Sequence, residues 1–103
     1  MDRNEVLNVL DERKSLHPND PAVEVYWVKL TELLTVNVDD TISFFNDCTE
    51  EQVLMLSEVF EDIAYKFQDD RFIECLDSLL LKYPDIPIKE SVNVAKQFTM
   101  KKN

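Results

Sequence analysis

The chain has 103 residues, of which 45% are hydrophobic, and its formal net charge is −10 at pH 7. That length supports one hydrophobic core and excludes two domains of ordinary size. Glycine is absent, although average usage of about 7% would give roughly seven in a chain this long. Because tight hairpins and phosphate-binding loops depend on glycine, the composition excludes glycine-rich nucleotide sites. We expect one all-α domain over residues 1–103.

The first third of the chain predicts two helices. The first runs from about Arg3 to Leu16 and ends at the turn sequence HPNDP. Asp20 is the predicted N-cap of the second helix, which starts at Pro21 and reaches about Thr35, because proline suits the first helical position. The wide apolar face of this helix predicts a central place in the core.

The middle third predicts a short helix and a long one. The third helix runs from about Asp40 to Asp47, with Asp39 as its cap. The fourth runs to about Phe67, and Thr49 with Gln52 forms a capping box at its start. Its apolar residues recur at steps of three and four, which is the spacing of one buried helix face. That predicted stripe consists of Val53, Leu56, Phe60, Ile63, Ala64 and Phe67.

Two further helices complete the chain. The sequence Gln68-Asp69-Asp70 separates the fourth helix from a fifth, which Pro84 ends, and DIPIKE opens a sixth that frays at KKN. Short connections make successive helices antiparallel. We therefore predict about six helices as three antiparallel hairpins in a short HEAT-like α-solenoid. No repeat consensus recurs at a fixed period, so a compact helical bundle is the alternative.

Residues that would carry catalysis or a metal are scarce. His17 is the one histidine and lies in a turn sequence, and Cys48 and Cys75 are too far apart for a CxxC pair. We expect both cysteines to be buried free thiols. Carboxylate pairs such as Asp39-Asp40 lack the EF-hand spacing and its glycine. The sequence thus predicts no enzyme, no metal, no cofactor and no small-molecule substrate.

The hydropathy pattern predicts a soluble protein. The opening residues MDRNEVLNVL lack the basic start and apolar run of a signal peptide. No segment approaches the ~20 apolar residues of a transmembrane helix. We expect a cytoplasmic protein that does not bind membranes.

Negative charge is concentrated in the middle of the chain. Residues 30–65 contain nine acids and no base, whereas residues 1–29 carry −2 and residues 66–103 carry +1. Concentration on one segment indicates a local field that attracts a basic partner. Contact with nucleic-acid phosphates needs lysine and arginine instead, so we expect no nucleic acid to bind there.

Helical spacing places apolar side chains among these acids. In the third helix Phe44 projects between two aspartates, and in the fourth Met55 lies among three acids. Such a mixture is typical of a partner-binding surface, where apolar anchors supply burial and carboxylates supply steering. The predicted acidic face comprises Asp39, Asp40, Phe44, Asp47, Glu51, Leu54, Met55, Glu58, Glu61, Asp62 and Tyr65. For each apolar member, packing in the core is an equal alternative, and a solvated helix face is the simpler explanation of any single carboxylate.

The segments NVDDTISFFNDCTEEQVLML and SEVFEDIAYKFQDDRFIECLDSLLLKYPDI resemble a known class of proteins. Residues 36 to 86, about half of the chain, are similar to the small all-α immunity proteins of bacterial contact-dependent growth inhibition and polymorphic toxin systems. The resemblance implies a 1:1 complex with a basic toxin domain, expected to be a nuclease, whose active site the protein covers or crowds. It implies no contact residues, so the acidic face rests on helical spacing alone.

Two other functions fit the same charge pattern. One is an acidic helical adaptor or regulator that binds a basic segment of a cellular protein. The other is a DNA-mimic inhibitor, which ranks lower because the lysine-rich last third, from Lys82 onward, interrupts an extended acidic stripe.

Overall fold

Seven α-helices and one 3-10 turn form the secondary structure of residues 1–98, which is the part that the computed structural model describes. The predicted all-α class with about six helices is confirmed, because the fourth predicted helix is present in two parts. The predicted fraying at KKN lies outside the described residues. The helices are α1 (Arg3–Lys14), α2 (Val23–Leu34), α3 (Val38–Asp47), α4 (Glu50–Leu56), α5 (Phe60–Phe67), α6 (Asp70–Lys82) and α7 (Lys89–Lys96).

Side-chain caps fix several helix starts. The predicted capping box is confirmed, since Thr49 Oγ1 accepts from the Gln52 backbone N–H and the Gln52 side chain accepts from that of Thr49. The cap of α3 is Asn37 rather than the predicted Asp39. Asn37 is the cap because its Oδ1 accepts from the Asp40 backbone N–H three positions later, which is the usual N-cap hydrogen bond.

The start of α2 is later than predicted. Asp20 Oδ1 accepts from the Ala22 backbone N–H at 2.9 Å, so the predicted cap is used by a turn, and the helix begins at Val23.

A 3-10 turn over Ser57–Val59 divides the fourth predicted helix into α4 and α5. The apolar stripe nevertheless holds across it, since Val53, Leu56, Phe60 and Ile63 are fully buried. A 3-10 turn winds more tightly than an α-helix, so residues before and after it do not keep one continuous α-helical phase.

Phenylalanines from three helices form the centre of the core. Phe45 of α3 lies 5.9 Å from Phe60 of α5 and 5.5 Å from Phe72 of α6, measured between ring centroids. All three are fully buried. Apolar residues from every helix join the same cluster, which accounts for helix formation by segments as short as α4.

The helices pack as a compact globule rather than as an extended solenoid. The predicted pairing of the first helix with the second is observed as α1 against α2, and that of the fifth with the sixth as α6 against α7. The predicted pairing of the third helix with the fourth is not the main packing of either, because α3 packs mainly on α6 and α5 on α7. The Cα radius of gyration is 12.9 Å, close to the ~13 Å of a compact domain of this length. In residues 1–98 no helix combines the length and the apolar character that crossing a bilayer requires.

Candidate functional site

Helix α1 neutralises three acids of the predicted face. Arg3 lies 2.8 Å from Asp47, and Lys14 lies 2.7 Å from Glu51. Hydrogen bonding to Glu51 raises the pKa of Lys14. Arg13 pairs with Glu58 at 2.6 Å. Three bases from the first third of the chain thus form ion pairs with acids of the middle third.

Two more predicted acids have partners from elsewhere. Asp39 lies 2.9 Å from Arg71 of α6, and Asp40 lies 3.7 Å from the N-terminal ammonium group of Met1. Five carboxylates of the predicted acidic face thus form ion pairs within the protein. Each pairing joins residues more than 30 positions apart, so helical spacing within one segment gives no sign of it.

Glu58 has a structural role. Arg13 donates to both of its carboxylate oxygens, through Nε at 2.9 Å and Nη2 at 2.6 Å, and Trp27 Nε1 donates to it at 2.8 Å. Arg13 itself is buried. The group ties α1 and α2 to the 3-10 turn, and Glu58 is not free for a partner.

The predicted anchors differ in exposure. Phe44 is only 3% exposed, packs edge-on against Phe45 and lies under the Arg3 guanidinium. The prediction that Phe44 projects to solvent is wrong, because α3 is buried on two faces. Met55 is half-buried and packs against the core. Leu54 is partly exposed and Tyr65 is 61% exposed, so these two remain accessible.

Glu61 and Asp62, the last two predicted acids, face different neighbours. Glu61 lines a shallow groove with Glu90 and Ser91 of α7. Asp62 lines a groove against α2. No ion-pair partner within 4 Å occurs for either among residues 1–98.

The groove between α2 and α5, which we call the α2/α5 groove, is the strongest candidate site. Its volume is about 360 Å³. Acidic, aromatic and aliphatic side chains from both helices line it. They are Glu24, Trp27, Val28, Thr31, Glu32, Asp62, Tyr65 and Lys66.

The charges of the groove are largely uncompensated. Within the described chain, Glu24, Glu32 and Asp62 form no ion pair at 4 Å or less. Lys66 also lines the groove, so three carboxylates face one ammonium group. A cation that enters the groove would find acids that the fold has not already neutralised.

The aromatic side chains of the groove are held in place. Tyr65 packs edge-on against Phe98 at 5.7 Å between centroids, and the hydrogen bond to Glu58 fixes the Trp27 indole. Beside them Val28 is 58% exposed. Held aromatic rings and exposed apolar surface are features of partner-binding sites.

Of the residues that line this groove, only Asp62 and Tyr65 belong to the predicted acidic face. Sequence analysis assigned α2 to the core, and Glu24 lies outside the acidic block of residues 30–65. A signal was nevertheless present: Val25 and Val28 follow at a spacing of three on the side away from Leu30 and Leu34, and both are exposed. An apolar pair off the buried stripe indicates a second face.

Two other kinds of site, a reactive thiol and a metal site, have little support in residues 1–98. The prediction of buried free thiols is confirmed for both cysteines. Burial raises the pKa of Cys48 to about 12 and that of Cys75 to about 11, so both stay protonated at neutral pH and neither is a thiolate nucleophile. In the same range no three histidine, cysteine, aspartate or glutamate residues are grouped to hold a metal ion.

Comparison with known proteins returns no relative: no family model, curated protein or solved structure matches the chain.

Proposed function

We propose that this chain is an immunity protein: a non-catalytic cytoplasmic protein that binds a basic bacterial toxin domain, expected to be a nuclease, as a 1:1 complex. The observation that carries the proposal is the set of carboxylates on α2 and α5 that form no ion pair within residues 1–98 and that surround exposed aromatic and aliphatic side chains. Burial of the apolar side chains supplies affinity, and the carboxylates select a cationic partner.

The field of the whole chain supports the same class of partner. The five intramolecular pairs of the acidic segment leave the net charge of −10 unchanged, so a distant basic protein still meets a negative molecule. Such fields raise association rates, and the effect falls steeply with ionic strength. A nuclease surface is basic because it must attract phosphates, which makes it a suitable target.

The proposed partner is a protein rather than a nucleic acid, a membrane or a small molecule. Phosphates of nucleic acid and of anionic lipid are repelled by the acidic groove. The DNA-mimic alternative loses support, because Arg3, Arg13, Lys14 and Arg71 are interspersed among the acids. An adaptor for a basic cellular protein uses the same surface and is separated by experiment.

The immunity function predicts a toxin domain encoded directly upstream of the chain, and the test is protection against that domain. We expect co-expression to restore growth, the purified proteins to form a 1:1 complex, and the association rate to fall at least tenfold between 50 mM and 500 mM salt. A toxin domain from an unrelated system serves as the control and should not be neutralised. Binding without protection, or no binding to the adjacent domain, would reject the immunity function in favour of the adaptor.

A further inference from the structure

We propose that the α2/α5 groove receives an arginine side chain from a basic segment of the partner protein. This inference rests on the proposed function for the partner's identity, but the groove's preference for arginine is testable without it. Three features of the groove carry it: a buried hydroxyl and three carboxylates without partners among residues 1–98, and two held aromatic rings.

The hydroxyl belongs to Thr31, which lines the groove and is 7% exposed. In residues 1–98 its Oγ1 is the one buried side-chain nitrogen or oxygen without a hydrogen-bond partner. Buried polar groups are almost always satisfied. One turn later, Thr35 Oγ1 donates to the Thr31 carbonyl oxygen at 2.7 Å in the ordinary way, so the helix does not force the orphan state. The accessible surface of Oγ1 is below 1 Å², so an N–H donor in the groove reaches Thr31 only after a small movement of the side chains around it.

The surrounding groups fit a guanidinium better than an ammonium. A guanidinium is planar, stacks on aromatic rings and carries five N–H donors, so it can contact a hydroxyl and a carboxylate together. Trp27 and Tyr65 supply rings, and Asp62 supplies a carboxylate at the same groove. A lysine ammonium group gains the charge attraction but not the stacking or the forked hydrogen bonds.

The dimensions suit a side chain with its flanking segment. The volume of about 360 Å³ is at the small end of ligand sites. From Glu24 to Glu32 the α2 axis rises ~12 Å, which gives the two acids room to contact bases on either side of the inserted arginine. Exposed Val25 and Val28 offer an apolar surface to the residues beside it.

The single tryptophan of the chain, Trp27, makes the groove directly observable by fluorescence. The probes are two capped nine-residue peptides of serine and leucine, one with three arginines and the other with three lysines at the same positions. We expect the arginine peptide to shift the Trp27 emission and to bind at least tenfold more tightly than the lysine peptide.

Thr31→Val tests the hydroxyl in two directions at once. Valine has nearly the shape of threonine and removes an unsatisfied group, so the thermal midpoint should stay equal or rise, whereas arginine-peptide affinity should fall about tenfold. Thr35→Val, which removes a satisfied hydroxyl at the C-terminal end of α2, should lower the midpoint and leave affinity unchanged. Glu32→Gln with Asp62→Gln should weaken both peptides, and Glu12→Gln with Glu74→Gln, exposed acids outside the groove, should weaken neither.

Equal affinity for the two peptides, or an arginine-peptide affinity that Thr31→Val leaves unchanged, would overturn the proposal. So would occupation of the groove by a second copy, seen as a dimer by sedimentation, or by the chain's own Lys101 and Lys102, seen as an emission change when residues 99–103 are removed. If the toxin domain binds all groove variants as it binds the native chain, the groove is wrong while the immunity function stands. Arginine-specific peptide binding without any toxin complex would give the reverse result.

Discussion

Arg13 brings a positive charge into the junction of α1, α2 and the 3-10 turn. Its side chain is 8% exposed, against 29% for its partner Glu58. Two hydrogen bonds between the charged groups and a third from Trp27 satisfy the carboxylate. Removing one partner of such a pair costs more than replacing both, because an unpaired buried charge is left behind. The two residues should therefore respond unequally to mutation.

Glu58→Gln should destabilise the protein by ~3 kcal/mol, because the buried Arg13 charge loses its counter-charge. Arg13→Met should cost less, ~1 to 2 kcal/mol, since Glu58 retains Trp27 and some solvent. The double variant should be more stable than the sum of the two losses predicts. Urea unfolding of the four proteins measures this cycle, and strictly additive losses would show that the pair does not act as a unit.

At the scale of elements, periodic burial was predictable and the choice of neighbours was not. Burial of the stripe from Val53 to Ala64 was predicted correctly, because the residues on one buried helix face recur at steps of three and four. Helix α3 broke that rule, since adjacent Phe44 and Phe45 are both buried. A helix that is covered on two sides has no single inward face. Helical spacing, which assumes one such face, therefore predicted an exposed position for Phe44.

Phe60 begins α5 and meets Phe45 of α3, so it fixes the phase of α5 after the 3-10 turn. Phe60→Ala should destabilise the protein by ~3 to 5 kcal/mol, as for other buried aromatic residues. Leu81→Ala is the matched control, because Leu81 is 84% exposed on α6; its effect should lie within ~0.5 kcal/mol. Thermal and urea unfolding measure both. A free energy of unfolding that Phe60→Ala leaves unchanged would contradict the buried position of Phe60 at the start of α5.

At the scale of the whole molecule, α1 acts as an internal counter-ion for the acidic segment. Arg3, Arg13 and Lys14 each contact a different acid of residues 47–58. Charge counting along the chain could locate the acidic block but not its partial neutralisation, because the pairs join separate helices. The binding surface that we propose is accordingly the groove where α2 meets α5 rather than the predicted acidic face.

Arg3→Gln with Lys14→Gln should free Asp47 and Glu51 and so enlarge the continuous negative surface. Lys29→Gln with Lys89→Gln changes the net charge equally, but neither lysine forms an ion pair within the described residues. We expect the first variant to elute from an anion-exchange column at higher salt than the second, because a cationic resin retains a cluster of free carboxylates more strongly than the same charge spread over the surface. Identical elution would mean that α1 does not screen the acidic segment.

The division of the acids into two sets bears on how the protein can change over generations. Asp47, Glu51 and Glu58 are fastened to α1, so replacing them disturbs the scaffold, whereas Glu24, Glu32 and Asp62 carry no such duty within residues 1–98. If the second set binds the partner as we propose, substitutions there change recognition with little effect on folding. An immunity protein whose toxin changes over time could then vary at these positions while its fold stays intact.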